Sequence, residues 1–145
     1  MLRRTYDGQD CSIARTLEVV GERWTLLIVR DAVHGVTRFD GFLASLPIAR
    51  NVLSDRLGGL VRHGVMERVP YQERPPRHEY RLTAKGRELV PVLLSLMEWG
   101  DRHLCEDSGP VVPEHVGCGG VVDVHLTCRE CSNGVEPAEV VPRVK

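Results

Sequence analysis

No stretch of this chain approaches the ~18 uninterrupted apolar residues of a membrane-spanning helix, and its N-terminus has no signal-peptide core. A soluble, cytoplasmic protein without membrane contact is the expectation. The five cysteines are an odd number, which together with the missing export signal argues against a structural disulfide framework. No Ser/His/Asp set, phosphate-binding glycine loop or carboxylate pair stands out. One dithiol spacing, Cys128-Arg129-Glu130-Cys131, lacks the flanking strand and long helix that a thiol-disulfide oxidoreductase needs, so an enzyme is not expected. Internal repeats and low-complexity tracts are also missing. The net charge of −1 argues neither for nor against a nucleic-acid partner.

What is present is unevenly distributed. With 145 residues and 42% hydrophobic content, the chain can bury one ordinary core and still leave an appendage. Residues 1–104 carry 16 Lys and Arg against 13 Asp and Glu, whereas residues 105–145 carry 3 against 7. Residues 50–87 alone hold 9 basic and 4 acidic side chains. Positive charge is thus concentrated in one segment, as a phosphate-binding surface requires, and the end of the chain is acidic.

That basic segment has two parts. From Arg50 to Arg62 the apolar residues Leu53, Leu57, Leu60 and Val61 recur at helical spacing, leaving Arg50, Asn51, Ser54, Asp55 and Arg62 on the opposite face. Arg and Asn carry paired donors and acceptors that match the major-groove edges of guanine and adenine. After His63-Gly64 the pattern changes to short β-type runs, Val65 to Tyr71 and His78 to Leu82, around a tip of residues 72–77. A reading helix followed by a charged hairpin is the order of a helix and a wing. Arg50, Asn51 and Ser54 are candidates for base edges or the nearest phosphates, and Arg56 and Arg62 for the DNA backbone. Asp55 can accept from a cytosine amine, or else cap the helix or pair with an arginine. Arg74 and Arg77 bracket Pro75-Pro76, whose fixed φ angles pre-order a loop entering the minor groove. Arg38 is either a phosphate contact or a surface ion pair.

Around this reader the chain reads as helical. Ser12 is placed to cap a helix through Val20, which Gly21 ends. Trp24 to Val33 is apolar nearly all round and stops at His34-Gly35. Thr37 to Leu46 carries Phe39, Phe42, Leu43 and Leu46 at helical spacing and ends at Pro47. Thr83 is expected to cap a last long helix whose stripe, Leu89, Val92, Leu93, Leu96, Met97, Gly100 and Leu104, is wide enough for a dimer surface, with a kink at Pro91. The fold class is α+β, mainly α. The expected organisation is a flexible arm over residues 1–10, a winged-helix and dimerisation domain over 11–104, and a small β-type tail over 105–145, in which Val121 to Leu126 is the best strand.

Cys11-Ser12-Ile13, Thr16-Leu17, the run from Gly21 to Ile28, Arg38-Phe39 with Phe42, Val52 to Leu57, Tyr71, the run from Pro75 to Thr83, Lys85-Gly86 and Leu89 together strongly resemble the HxlR-type winged helix-turn-helix regulators of bacteria. The match runs in unbroken order over about residues 11–104. It implies a homodimer, joined through the first and last helices, that binds a pseudo-palindromic operator on double-stranded DNA and represses or activates a neighbouring gene; the effector, an oxidant, an electrophile or a small molecule, is left open by the residues. One departure is Gly58-Gly59, where the family commonly carries longer or charged side chains. Each helical glycine costs about 1 kcal/mol relative to alanine, so base reading is expected in the first two turns of the helix. The alternative reading is a protein-interaction module, in which a winged-helix dimer that no longer reads DNA is the scaffold and a zinc-binding tail recruits a partner.

The cysteines raise two separate expectations. Cys11 stands just before a helix, where unpaired N–H groups and the dipole favour thiolate; it is either an oxidant or electrophile sensor, as the resemblance implies for some members, or a reduced thiol packed in the dimer interface. In the tail, His115-x2-Cys118 and Cys128-x2-Cys131 form two chelating pairs that suit one structural zinc ion. His125 competes with His115 as the fourth ligand. A metal-free hairpin is the alternative.

Overall fold

The computed structural model describes residues 5–145, so the first four residues of the expected arm lie outside the described residues. The chain divides into two compact units, one ending at Leu93 and one running from Leu94 to Lys145.

The first unit opens with α1 (Ser12–Val20), α2 (Thr25–Val33), α3 (Phe39–Ser45) and α4 (Arg50–Arg62). Cys11, not Ser12, takes the N-cap position of α1, with extended backbone and no side-chain cap. Ser12 is the first helical residue, and its carbonyl accepts from the Thr16 hydroxyl at 2.8 Å. Ahead of the helix, the backbone N–H of Tyr6 donates to the Glu18 carboxylate. The apolar run of α2 supplies Ile28 and Val29, fully enclosed with Phe42 of α3 and Leu53 and Leu57 of α4 at 0% exposure. Leu60, Val65, Met66 and Leu82 complete this core, so the period-3.6 stripe of α4 is the side that holds it to the domain.

The wing is β1 (Met66–Glu73) and β2 (Pro76–Leu82), antiparallel from Met66 opposite Leu82 to Glu73 opposite Pro76, with an irregularity at Tyr71. The expected six-residue tip is therefore only Arg74-Pro75. Pro76 takes the first position of a strand, one of the few places in a sheet where a missing N–H is tolerated. A third short segment joins the hairpin: Arg38 bridges to Glu79, and the Tyr80 N–H donates to the Thr37 carbonyl at 2.7 Å.

Thr83 does cap a helix, its hydroxyl accepting from the Gly86 N–H, but that helix is the single turn α5 (Ala84–Arg87). The long helix α6 (Val90–His103) starts afresh, with Pro91 in its first turn. The expected kink is replaced by a break, because proline lacks an N–H and crowds the preceding turn, yet is well suited to beginning a helix. No side chain of α6 is buried.

Beyond α6 the second unit holds the isolated bridges Glu114 to Val121 and Thr127 to Gly134, and a short 3-10 turn at Pro137–Glu139. The expected strand over residues 121–126 does not form; Val121 contributes one bridge and the next residues run irregularly.

Candidate nucleic-acid interface

Helix α4 owes its orientation to Leu53, Leu57 and Leu60, which leave Arg50, Asn51, Ser54 and Asp55 exposed on the far side. Arg50 begins the helix with its guanidinium 5.2 Å over the Phe39 ring and Nη2 3.5 Å from Asp40 Oδ1. Both partners belong to α3, so Arg50 ties the two helices together. The ion pair is itself exposed, and such pairs hold by about 0–1 kcal/mol; the guanidinium is free to swing to a stronger anion. Asp55 pairs with Arg56 at 3.4 Å, the second of its two expected roles.

The other helical arginines differ. Arg56 is half-buried, with Nε 2.9 Å from Glu22 Oε2 ahead of α2. That commitment makes it a brace between helices before it is a phosphate contact. Arg62 is exposed and curls back along α4, where a Cβ at Gly58 would lie 3.3 Å from its Nη1 and one at Gly59 3.6 Å from its Nη2. The glycine pair thus gives that side chain room to lie against the helix.

In the wing, Arg74 and Arg77 are both exposed, but only Arg74 is in the turn; Arg77 sits in β2 opposite Gln72. Gln72 Nε2 donates to the carbonyls of Arg74 and Pro75 at 3.2 and 3.1 Å, clamping the tip. Arg38, at the start of α3, stacks over the Tyr71 ring and lies 3.7 Å from Glu79. It is both a surface ion pair and a link from the helix-turn-helix to the wing.

Three further cations lie in or beside the wing. Arg68 Nη2 lies 3.2 Å from His78 Nδ1, Arg81 Nη2 donates to Glu79 at 2.8 Å, and Lys85 Nζ donates to the His63 carbonyl at 2.7 Å. Arg68 pairs with Tyr80 and Arg81 with Glu67, so the two arginines stand on opposite faces of the hairpin. The Arg81 hydrogen bond, with weaker help from Arg38 and against some burial, holds the Glu79 carboxyl below the usual carboxylate range.

Cys11 and Cys105 are exposed. In the second unit, His115 Nδ1 lies 3.3 Å from Cys118 Sγ. The sulfur of Cys128 receives the backbone N–H groups of Cys131 and Glu130, which hold its thiol below the usual range. His125 is apart from both pairs and lies 3.9 Å from Asp123. Among the described residues no three or more His, Cys, Asp or Glu side chains gather closely enough to enclose a metal ion.

A helix-turn-helix whose second helix presents Arg, Asn and Ser to solvent, with a basic two-stranded wing beside it, is a winged-helix reader of duplex DNA. Residues 19–108 match the HxlR-like helix-turn-helix family, and the chain belongs to that family. Rv3095 of Mycobacterium tuberculosis, an uncharacterised HTH-type transcriptional regulator, is 44% identical over 142 residues, covering 97% of this chain and 89% of its own. The crystal structure of PA1607, described as a candidate transcription factor, is 38% identical with a TM-score of 0.82 and covers 95% of this chain and 96% of its own. HypR, described as a redox regulator and solved in its reduced form, is 33% identical with a TM-score of 0.60, covering 63% of this chain and 92% of its own. This chain is accordingly a DNA-binding transcription regulator of winged-helix type and not an enzyme.

Proposed function

We propose that the chain works in the cytoplasm as a homodimeric repressor on a pseudo-palindromic operator, released by an oxidant or electrophile. The observation that carries the reading is the open face of Arg50, Asn51 and Ser54 on a helix whose other side is locked into the core. Laid in the major groove, that helix puts Arg50 and Asn51 against base edges and leaves Arg74 and Arg77 for the flanking phosphates or minor groove. A homodimer supplies the second reader, and apolar side chains stand ready on two helices: Ile13 of α1 is 71% exposed, and Leu96 and Trp99 of α6 are 53% and 58% exposed. Groups of that kind on water mark an association surface. For the signal, Cys11 offers an exposed thiol at the start of α1, and HypR, a relative described as a redox regulator, is known in reduced and oxidised forms.

The test is fluorescence anisotropy on the duplex upstream of the chain's own gene, under thiol reductant and after diamide, which takes up the two hydrogens released as two thiols join. Tight, salt-sensitive binding when reduced and its loss when oxidised, with Cys11→Ser insensitive, supports the operator and the thiol signal. Equal binding in both states removes the thiol signal and keeps the operator. If every duplex is bound equally weakly, DNA reading is lost and the interaction-module alternative takes its place.

A further inference from the structure

The tail contains a repeat that its sequence conceals. The backbone around His115 and the backbone around Cys128 make the same hydrogen bonds at a constant offset of thirteen residues. His115 N–H donates to the Gly120 carbonyl at 2.8 Å, and Cys128 N–H to the Asn133 carbonyl at 3.0 Å. Gly119 N–H returns to the His115 carbonyl at 2.7 Å, and Ser132 N–H to the Cys128 carbonyl at 2.9 Å. Val122 N–H reaches the Pro113 carbonyl, and Val135 N–H the Leu126 carbonyl, both at 2.9 Å. The bridges Glu114 to Val121 and Thr127 to Gly134 close the two turns identically.

Each turn places its first ligand-type residue at the same point, His115 or Cys128, and its second three residues on, Cys118 or Cys131. Directly after the second comes a left-handed residue, Gly119 at φ 71° in one turn and Ser132 at φ 60° in the other. Ser132 is the only non-glycine residue at positive φ among the described residues, a conformation costing about 1–2 kcal/mol for a residue with a Cβ. A turn of this shape folds the chain back so that both side chains of a pair point to one side. His115 Nδ1 lies 3.3 Å from Cys118 Sγ.

A second, independent observation is the lack of a core. None of the buried hydrophobic residues belongs to the unit from Leu94 to Lys145. A unit this small with no apolar interior needs another source of cohesion, of which disulfides and metals are the usual ones. Two chelating half-sites with matched turns, one imidazole and thiol and one dithiol, suit the second.

We infer that the two turns are the halves of one tetrahedral zinc site, with His115, Cys118, Cys128 and Cys131 as its ligands. The turns exist as separate pairs without the ion, and zinc draws them together, releasing the thiol protons as thiolates bind. Three sulfurs and one imidazole nitrogen select zinc over the hard cations, and four protein ligands leave no open position, so the ion is structural. His125 stands outside both turns, and the proposed site therefore takes His115 as its fourth ligand.

The test uses the full chain, reduced, loaded with zinc and freed of excess. Elemental analysis should find one zinc per chain. Cys118→Ser and Cys131→Ser should lose it, His125→Ala should keep it, and His115→Cys, which makes the two turns chemically alike, should keep it too. Cobalt in place of zinc should give the visible absorption of a tetrahedral thiolate site, with a stronger sulfur-to-cobalt band in His115→Cys. Thiol labelling of the unaltered chain guards against variants that fail to fold: Cys11 and Cys105 should react at once and the other three only after a chelator is added. Zinc absent from the loaded chain, equal zinc in the two serine variants, or five thiols labelled alike with zinc present would each overturn the inference. None of these readouts involves DNA, so failure here and failure to bind an operator are separate results.

Discussion

The Arg38 guanidinium lies 4.5 Å from the centre of the Tyr71 ring, joining the first residue before α3 to the irregular point of β1. The same side chain reaches Glu79 of β2, and its backbone forms the bridge to that residue. Wing and helix-turn-helix are therefore held at three kinds of contact, so that the angle between them does not have to be set by DNA. Arg38→Ala should lower stability by about 1 kcal/mol, as for a partly exposed cation–π contact, and should weaken operator binding by more than that loss implies, because the wing loses its register against α4. Arg38→Lys keeps the charge but not the planar stack, and should fall between the two. Thermal unfolding and anisotropy on the same proteins separate the effects.

Glu79 should give the wing a specific acid response. Its carboxyl is held below the usual range chiefly by the Arg81 hydrogen bond, so the folded chain releases that proton more readily than the unfolded one. The resulting stabilisation is complete above the ordinary carboxylate pKa. It declines as pH falls below that value, because the unfolded state takes up the proton first, and is gone once the folded carboxyl is protonated. Glu79→Gln should therefore flatten part of the loss of melting temperature between neutral and acid pH, and leave the neutral to alkaline side unchanged in slope. An identical acid slope in the variant would sink the assignment.

The two halves of the interface should fail differently. Arg50→Ala and Asn51→Ala remove groups placed for base edges and should cost about 1–3 kcal/mol each on the operator, with much less change on unrelated duplexes. Arg74→Ala and Arg77→Ala should weaken all duplexes together and reduce the slope of log affinity against log salt by about 1 each. Arg56→Ala should instead show most of its effect in thermal stability, because its guanidinium is engaged with Glu22 and Asp55.

What could be read in the sequence was periodic. The apolar stripe of α4 is repeated over thirteen residues, enough to fix both the helix and which face is open, and so the exposure of Arg50, Asn51 and Ser54 is legible. The bridge from Arg38 to Glu79 was not, since one paired residue has no period and its partner is forty-one positions away. Pro75-Pro76 reads as a loop and so predicts too long a wing tip, whereas only Pro75 lies in the turn. The stripe continues on both sides of Pro91 and so predicts a kink there, but periodicity alone does not tell a kinked helix from two successive ones. In the tail the His and Cys spacing is visible in the sequence, but the repeat is not: its positions are matched by backbone hydrogen bonds, and a serine does in one turn what a glycine does in the other.

Gly58 and Gly59 should be replaceable at a gain. A Cβ at Gly59 meets Arg62 Nη2 at 3.6 Å, an ordinary contact, and one at Gly58 meets Nη1 at 3.3 Å, the movable end of a long exposed side chain. Alanine at either position should then stabilise the chain by up to about 1 kcal/mol through helix propensity, with Gly59→Ala the larger. If flexibility in this half of α4 is needed to fit the groove, operator affinity should fall while melting temperature rises; if it is not, both rise or affinity stays level.

Gly86 is the opposite case. A Cβ there would stand 2.1 Å from the Val65 carbonyl oxygen and 3.0 Å from Leu82 Cδ2. That carbonyl already accepts from the Thr83 N–H at 3.1 Å, and the Gly86 N–H donates to the Thr83 hydroxyl at the same distance. The backbone of α5 therefore cannot yield without giving up the corner that joins β2 to the helices. Overpacking at a rigid site costs about 1–3 kcal/mol, and loss of a helix cap adds about 0.5–2 kcal/mol. Gly86→Ala should lose roughly 3 kcal/mol or fail to fold, whereas Gly100→Ala in α6, where nothing lies within 4 Å, should be neutral or slightly stabilising by about 1 kcal/mol at most. Equal denaturant midpoints for the two variants would mean that α5 does not pack against Val65 as described, and the seat of the wing would have to be redrawn.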